Sequence, residues 1–444
     1  LKSSPGGVLA ALAALAALSL ARPAAARDDG LARTPPMGWN SWHHFGCHVS
    51  EALIRETADA LVATGLRAAG YQYVVIDDCW QGARAADGAI RPDPARFPSG
   101  MRALAAYVHA RGLKFGLYSD AGDRTCEGRP GSRGHEAQDA TTYAAWGVDF
   151  VKYDWCHSAG LDAPAAYARM RQALAATGRP ILFSICEWGL SDPARWAPAV
   201  GQMWRTTGDI GDAFDQPPLH PSGRAEGVAS SVPIEMNMGV LQVLDRQAGL
   251  ARFAGPGGWN DPDMLEVGNG GMTRDEEAAQ FALWAVLAAP LIAGDDVRRM
   301  DPDTRAILAD PEMIAIDQDP AGRAGDRLAR FGDIDVWGRP LADGGWAVVV
   351  LNRGVAPVAA SIDAEMWRGG GAYCAHDVTD HAELGPLGVR LTLPLRPHAA
   401  RLIRLRRAQA PCPAAGAGLA SLAVGAGRQA RRGPWRKMAR HEGE

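Results

Sequence analysis

The chain lacks the marks of several large protein classes. Its 444 residues carry 46 Lys and Arg against 50 Asp and Glu, a formal charge of −4. There is therefore no whole-chain basic field of the kind that gathers nucleic acid. The apolar run near the N-terminus, Val8 to Ala21, is about 14 residues long and falls short of the ~20 that cross a bilayer. The seven cysteines (47, 79, 126, 156, 186, 374 and 412) never fall in C-x2-C spacing, and His43, His44 and His48 complete no zinc motif. No G-x-G-x-x-G follows an early strand-like run, and the Gly-rich stretch Glu127 to Glu136 lacks the GK[ST] ending of a phosphate cradle. Disorder throughout is excluded by a content of 47% hydrophobic and 22% charged residues, which is ordinary for one large domain with a smaller one beside it.

The N-terminus does carry Lys2, the apolar run, and small residues at Ala24 to Ala26 before Arg27. That is the layout of a secretory signal peptide over residues 1–26, with cleavage near Ala26. The mature chain is then expected in an extracellular or periplasmic compartment, free of the membrane, where disulfides persist. An odd number of cysteines leaves at least one thiol without a partner in the chain.

From Met37 to Asp296 one phrase repeats: a short β-rich run with a polar end, a turn, then a longer helical stretch. The eight runs are Met37–Trp42, Tyr71–Asp77, Lys114–Asp120, Asp149–Asp154, Ile181–Glu187, Met203–Asp209, Trp259–Asp263 and Pro290–Asp295. Between them, Ser50 can cap a helix that shows Leu53, Ile54, Ala58, Leu61 and Val62 on one face, with Gly65 to stop it. Thr273 and Glu276 can form a capping box. Leu104 with Val108 before Gly112, and Tyr167 with Met170 and Leu174 before Gly178, read the same way. Strands alternating with helices imply a parallel sheet, and eight units within about 260 residues suit a closed (β/α)8 barrel over residues 27–323. A doubly wound open sheet is the rival. After about Gly322 the pattern changes: Trp346 to Leu351 is a continuous apolar strand, while Val389, Leu391, Leu393 and Leu395 alternate with other residues. Residues 324–406 are thus expected to form a small antiparallel β-sandwich. Residues 407–444 are Ala- and Gly-rich, then basic, with little to bury, and are expected to be disordered.

Most of the eight runs end in Asp or Glu. In a barrel those ends converge on one rim, where side chains from all strands surround a single cavity. Asp154 ends one run with Lys152 two residues earlier on the same side, so the ammonium is expected to lower the acid's pKa and keep it ionised. Asp209 ends another, with Arg205 four residues upstream. Two carboxylates on one rim are what glycoside hydrolysis requires: one to attack the anomeric carbon, one to protonate the leaving oxygen. Asp77 and Asp78 are adjacent and should meet different partners, as two acceptors for sugar hydroxyls. Trp39, Trp42, Trp80, Trp155 and Trp188 fall at or beyond strand ends, where aromatic faces can stack on pyranose rings. Each of these residues also has a plainer reading, as a helix cap, an ion pair or core filler. Two other classes stay open: a non-catalytic carbohydrate-binding protein, and a metal hydrolase built on Asp77, Asp78, Asp261 and Asp263.

At these residues the sequence resembles glycoside hydrolase family 27, the α-galactosidases or melibiases. The matching phrases are LARTPPMGWNSW from Leu31, YVVIDDCW from Tyr73, GLYSDAGDRTC from Gly116, PGSRGHEAQDA, WGVDFVKYDWC from Trp146, CEWG, WRTTGDI and GPGGWNDPDMLEVGNGGMT from Gly255. They cover the whole barrel in family order. The resemblance implies hydrolysis of α-galactosides with retention, no cofactor and no metal, with Asp154 as nucleophile and Asp209 as acid/base. For the sugar pocket it implies Trp42, Asp77, Asp78, Tyr118, Cys126 and Lys152, then Cys156, Glu187, Trp188, Leu190, Arg205, Asp263 and Met264. It further implies disulfides Cys47–Cys79 and Cys126–Cys156. Glu187 and Leu190 stand where relatives acting on α-N-acetylgalactosamine have smaller residues, and Asp77 stands where relatives acting on β-L-arabinopyranosides have Glu; both positions point to galactose. The chain departs from the family at Trp155, usually small or polar, and in a long segment from Asp212 to Phe253 that could wall the site. At Cys186 a free thiol is expected near the pocket, because no cysteine occurs between Ala199 and Met203.

Overall fold

The computed structural model describes residues 29–217, 235–363, 366, 372–409 and 411–415. The expected signal peptide, residues 410 and 416–444 of the tail and residues 218–234 of the long segment lie outside these; the start of the tail departs from the disorder expected from residue 407, since Arg407 ends the last strand and Cys412 is disulfide-bonded to Cys374. Within them, eight short strands fall inside the eight expected runs: β1 (Met37–Asn40), β2 (Tyr73–Ile76), β3 (Lys114–Asp120), β4 (Phe150–Asp154), β5 (Leu182–Ile185), β6 (Met203–Arg205), β7 (Trp259–Asp261) and β8 (Leu291–Ala293). They pair in parallel in the order β7-β6-β5-β4-β3-β2-β1-β8. The ring closes one step past β7, where Leu265 donates its N–H to Ile292 and accepts from Gly294, bridging Ala293. Closure and sequential order rule out the doubly wound alternative, which reverses strand order and leaves two edges.

The helices begin where local chemistry satisfies their free N–H groups. Ser50 Oγ accepts from Leu53 N at the start of Glu51–Ala63, and Thr273 and Glu276 form the reciprocal box at the start of Arg274–Leu287. In the first of these helices Leu53, Ile54, Ala58 and Leu61 are buried, but Val62 is 42% exposed. At 100° per residue it lies roughly 100° off the centre of that stripe, too far round to reach the strands.

Inside the barrel the side chains stack in levels. Tyr73, Val75, Phe150, Leu182 and Met203 make a small apolar cluster at the N-terminal ends of the strands. One side-chain repeat higher, Lys152 and Arg205 line a small cavity together with Ser184, Asp261 and Asp263. Above them lies the mouth that holds Asp154 and Asp209. Period-two alternation along β4 and β6 sets this order: Phe150, Lys152 and Asp154 share one side, as do Met203 and Arg205.

Eight more strands follow: β9 (Asp326–Phe331), β10 (Ile334–Pro340), β11 (Trp346–Asn352), β12 (Val358–Asp363), β13 (Tyr373–Asp377), β14 (Ala382–Pro386), β15 (Arg390–Leu395) and β16 (Ala400–Arg407). Six form an antiparallel sheet, β14-β13-β16-β11-β10-β9, and β12 pairs with β15 as a second, two-stranded sheet. The larger sheet is a middle layer. Val348 and Val350 of β11 face the core shared with β12 and β15, while Ala347, Val349 and Leu351 face the barrel. Burial on both faces is why β11 reads as unbroken hydrophobic sequence. β15 alternates as expected, with Leu391, Leu393 and Leu395 inside, but Val389 precedes the strand and is 81% exposed. Arg339, fully buried in β10, fastens the sheet to the barrel by donating to the carbonyls of Ala285, Ile316 and Asp317.

Candidate active site

A cavity of about 390 Å³ opens at the C-terminal ends of the barrel strands. Seven of its lining residues come from three loops and two strands: Trp42 after β1, Asp77 and Asp78 after β2, Tyr118 in β3, Cys126 and Glu127 beyond it, and Lys152 in β4. Asp154 ends β4, Cys156 and His157 follow it, and Trp188, Asp209 and Met236 complete the wall. Ten of the residues named above for catalysis and sugar binding are thereby brought together. Glu187, Leu190, Arg205, Asp263 and Met264 do not line this space. Arg205, Asp263 and Met264 face the smaller cavity below, Glu187 is fully buried behind the wall, and Leu190 packs on the core.

Asp154 is 5% exposed and accepts one backbone bond, from Trp155 N at 3.0 Å. Burial pushes its carboxyl up to about 7; Lys152 opposes this, while Asp209 and Asp77 add to it. Lys152 therefore does not outweigh burial as the sequence suggested. Its Nζ is committed to Asp77 Oδ2 at 2.8 Å, and the same oxygen accepts from Asn40 Nδ2 at 2.7 Å. Asp78 holds Cys79 N and Glu127 N at 2.6 and 3.0 Å, and burial raises it to about 6 despite those bonds. Asp77 and Asp78 thus have separate partners, as adjacency predicts. β2 ends at Ile76, however, so the pleat no longer governs them and both face the cavity.

A chain of alternating charge runs behind Asp209. Arg205 Nη1 lies 3.0 Å from Asp209 Oδ1, and its Nη2 lies 2.7 Å from Asp263 Oδ2. Asp263 sits at φ 83, a strained conformation for a residue with a side chain. It is held there by Ile210 N and Met264 N, which donate to its two oxygens. Burial would raise this carboxyl, but Arg205 and then His43 hold it below the ordinary range. The His43 side chain, 8% exposed, has Nε2 3.9 Å from Asp263 Oδ2 and Nδ1 against Glu266. Burial works against its charged form, yet Glu266, Asp263 and Asp209 carry it up to about 9. Residue type and spacing gave no sign of this pair; Glu266 comes from the loop after β7, and only ring closure brings it to His43.

The tryptophans divide. Trp42 and Trp188 line the cavity, whereas Trp39 and Trp80 are fully buried and donate to the carbonyls of Asp295 and Tyr118. Trp155 turns away and stacks on Tyr167, with ring centroids 5.5 Å apart. It is core filler, so its departure from the family pattern does not touch the mouth. Glu127, His157 and Met236 are lining residues that the sequence did not single out. Disulfides join Cys47 to Cys79 and Cys126 to Cys156, as the resemblance implies, and a third, Cys374–Cys412, returns the chain after β16 to β13. Cys186 is a free thiol buried beneath the cavity, with Arg205 Nη1 3.8 Å from its sulfur.

Two of the four carboxylates considered for a metal are already paired with cations of the chain: Asp77 with Lys152, and Asp263 with Arg205 and His43. Two further acid-and-sulfur groupings, around Cys47–Cys79 and Cys126–Cys156, have their sulfurs in disulfides and offer no thiolate. No helix among the described residues is long and apolar enough to cross a membrane.

A sequence profile described as alpha galactosidase A matches residues 34–217 and 234–319, and one for the alpha galactosidase C-terminal beta sandwich domain matches 331–405. Alpha-galactosidase A of Cellvibrio japonicus is 53% identical over 347 residues, which span 78% of this chain and 83% of that protein. The crystal structure of alpha-galactosidase I from Mortierella vinacea has a TM-score of 0.82 at 35% identity, covering 87% of this chain and 100% of that one. That of the Saccharomyces cerevisiae α-galactosidase with raffinose has a TM-score of 0.81 at 30% identity, covering 85% and 99%. Barrel, sandwich and an acid-lined mouth with two tryptophans define a glycoside hydrolase. Within that class, the chain belongs to the α-galactosidase family, glycoside hydrolase family 27.

Proposed function

We propose that the chain is a secreted, retaining α-galactosidase that releases terminal α-D-galactosyl residues from galactosides or galacto-oligosaccharides. The observation that carries this reading is that Asp154 and Asp209, from separate strands, line one cavity with different surroundings. Asp154 is almost wholly enclosed, whereas the Asp209 side chain is 25% exposed beside Arg205. The enclosed carboxylate suits attack on the anomeric carbon, and the wetter one suits proton exchange with a leaving group and then with water. In the first step Asp154 bonds to that carbon as the glycosidic bond breaks, and Asp209 gives its proton to the departing oxygen. In the second, Asp209 takes a proton from water, whose oxygen displaces Asp154 and frees galactose with its α configuration. Asp77, tied to Lys152, and Asp78, tied to the loop after β3, offer acceptors to the sugar hydroxyls, with Trp42 and Trp188 as apolar faces.

Galactose is favoured over N-acetylgalactosamine by the bulk of Glu187 and Leu190, and over arabinopyranose by Asp77. The Glu187 carboxylate accepts Ser191 N and Oγ at 2.8 Å each, which fixes that bulk in place. Three disulfides agree with export, since they persist in an oxidising compartment. Proton NMR of p-nitrophenyl α-galactoside hydrolysis tests the mechanism: α-galactose forms first, and Asp154→Ala and Asp209→Ala each lower kcat/KM by at least about 10³-fold. First appearance of the β anomer would overturn it.

A further inference from the structure

The long segment after β6 returns to the site at Glu235 and Met236. Its return is fixed by backbone pairing: Met238 N donates to Asp209 O at 3.0 Å, and Gly211 N donates to Met238 O at 2.8 Å. Gly208, beside Asp209, lies so close under this return that a Cβ there would stand 1.6 Å from Glu235 O and 3.3 Å from Met236 Sδ. Only glycine permits the approach. The far side is anchored as well: Met238 is fully buried, Leu241 N bonds Phe214 O, and Glu235 pairs with Arg246. Met236 itself is half-buried and lines the cavity.

We propose that Met236 is a specificity-determining residue that forms the apolar platform for the leaving group. This rests on the assignment of Asp209 as acid/base. A general acid must lie within hydrogen-bond reach of the glycosidic oxygen, so whatever that oxygen carries projects past Asp209 toward the mouth. There Met236 offers a polarizable, adaptable thioether. Glu127 and His157 add polar groups to the lining of the same cavity. The leaving group such a platform fits has a flat apolar face to set against Met236: a pyranose seated on its C–H face, with hydroxyls left for the polar lining, or an aryl ring.

The test compares α-galactosyl fluoride, whose leaving group is a single atom, with raffinose and p-nitrophenyl α-galactoside. In Met236→Ala, the kcat/KM of the two larger substrates relative to the fluoride falls about tenfold, the scale of a lost apolar contact, with most of the change in KM. Met236→Leu restores most of the ratio. A ratio that stays within about twofold of wild type in Met236→Ala overturns the proposal, including when all three rates drop together through misfolding. Failure of the wild-type enzyme to hydrolyse the fluoride would instead refute the underlying function.

Discussion

Replacing His43 by Gln keeps an amide near Glu266 but removes a buried cation from the chain of charge behind Asp209. The folded-state value of about 9 lies above the ordinary 6.5, and this corresponds to about 3 kcal/mol of stability at about 1.4 kcal/mol per pH unit. A group whose folded value is raised contributes fully below its unfolded value and loses that contribution as pH rises through the folded one. The deficit of the variant is therefore largest below pH 6.5 and shrinks up to about pH 9. Asp212, pushed by burial and Glu266 up to about 7, faces the same cluster and titrates at the lower end. The clean interval is accordingly about pH 7.5 to 9.5, over which the wild type gives up about 2 kcal/mol relative to the variant. With unfolding entropy near 2.1 cal/mol/K per residue over the 444 residues of the chain, that is about 2 °C in Tm. Circular dichroism melts of both proteins at the two pH values read it directly. A Tm difference between wild type and His43→Gln that is unchanged across this interval refutes an imidazolium at position 43.

The other expectations concern the reaction. Because burial raises Asp154 well above an ordinary aspartate, and the nucleophile must be ionised, kcat/KM falls on the acid side with an apparent pKa well above 3.8; a pH–rate profile that is flat down to pH 4 contradicts this. Glu187→Ala with Leu190→Ala opens the wall behind Trp188, and the ratio of α-N-acetylgalactosaminide to α-galactoside hydrolysis rises by at least about tenfold. No change in that ratio, in a variant that still melts cooperatively, removes these two residues from sugar selection.

Much of the molecule could be read along the chain, because the signals are local. The strands follow from runs of β-branched and aromatic residues between turns, the caps from Ser50 and Thr273, and the levels inside the barrel from the alternation Phe150, Lys152, Asp154. Even the unbroken apolar run at Trp346 to Leu351 was legible as a strand, though not the two cores it separates. The failures share a physical origin. Trp39, Trp80 and Trp155 occupy the same kind of position as Trp42 and Trp188, and direction beyond the last strand residue is set by packing. Asp77 and Asp78 lie past the end of β2, where the rule of alternating faces lapses.

Residue order alone determined the repeated strand–helix unit, the change to antiparallel strands after Gly322, and the acids delivered to one rim, since each depends on neighbours a few positions apart. Tertiary structure decided which partner each charge took. Lys152 went to Asp77 instead of serving Asp154 alone, and Arg205 was shared between Asp209 and Asp263. His43 met Glu266, more than two hundred residues away, and Met236 came to rest over Gly208. Coulomb energy and desolvation depend on distances through space, and those exist only once the ring of strands has closed.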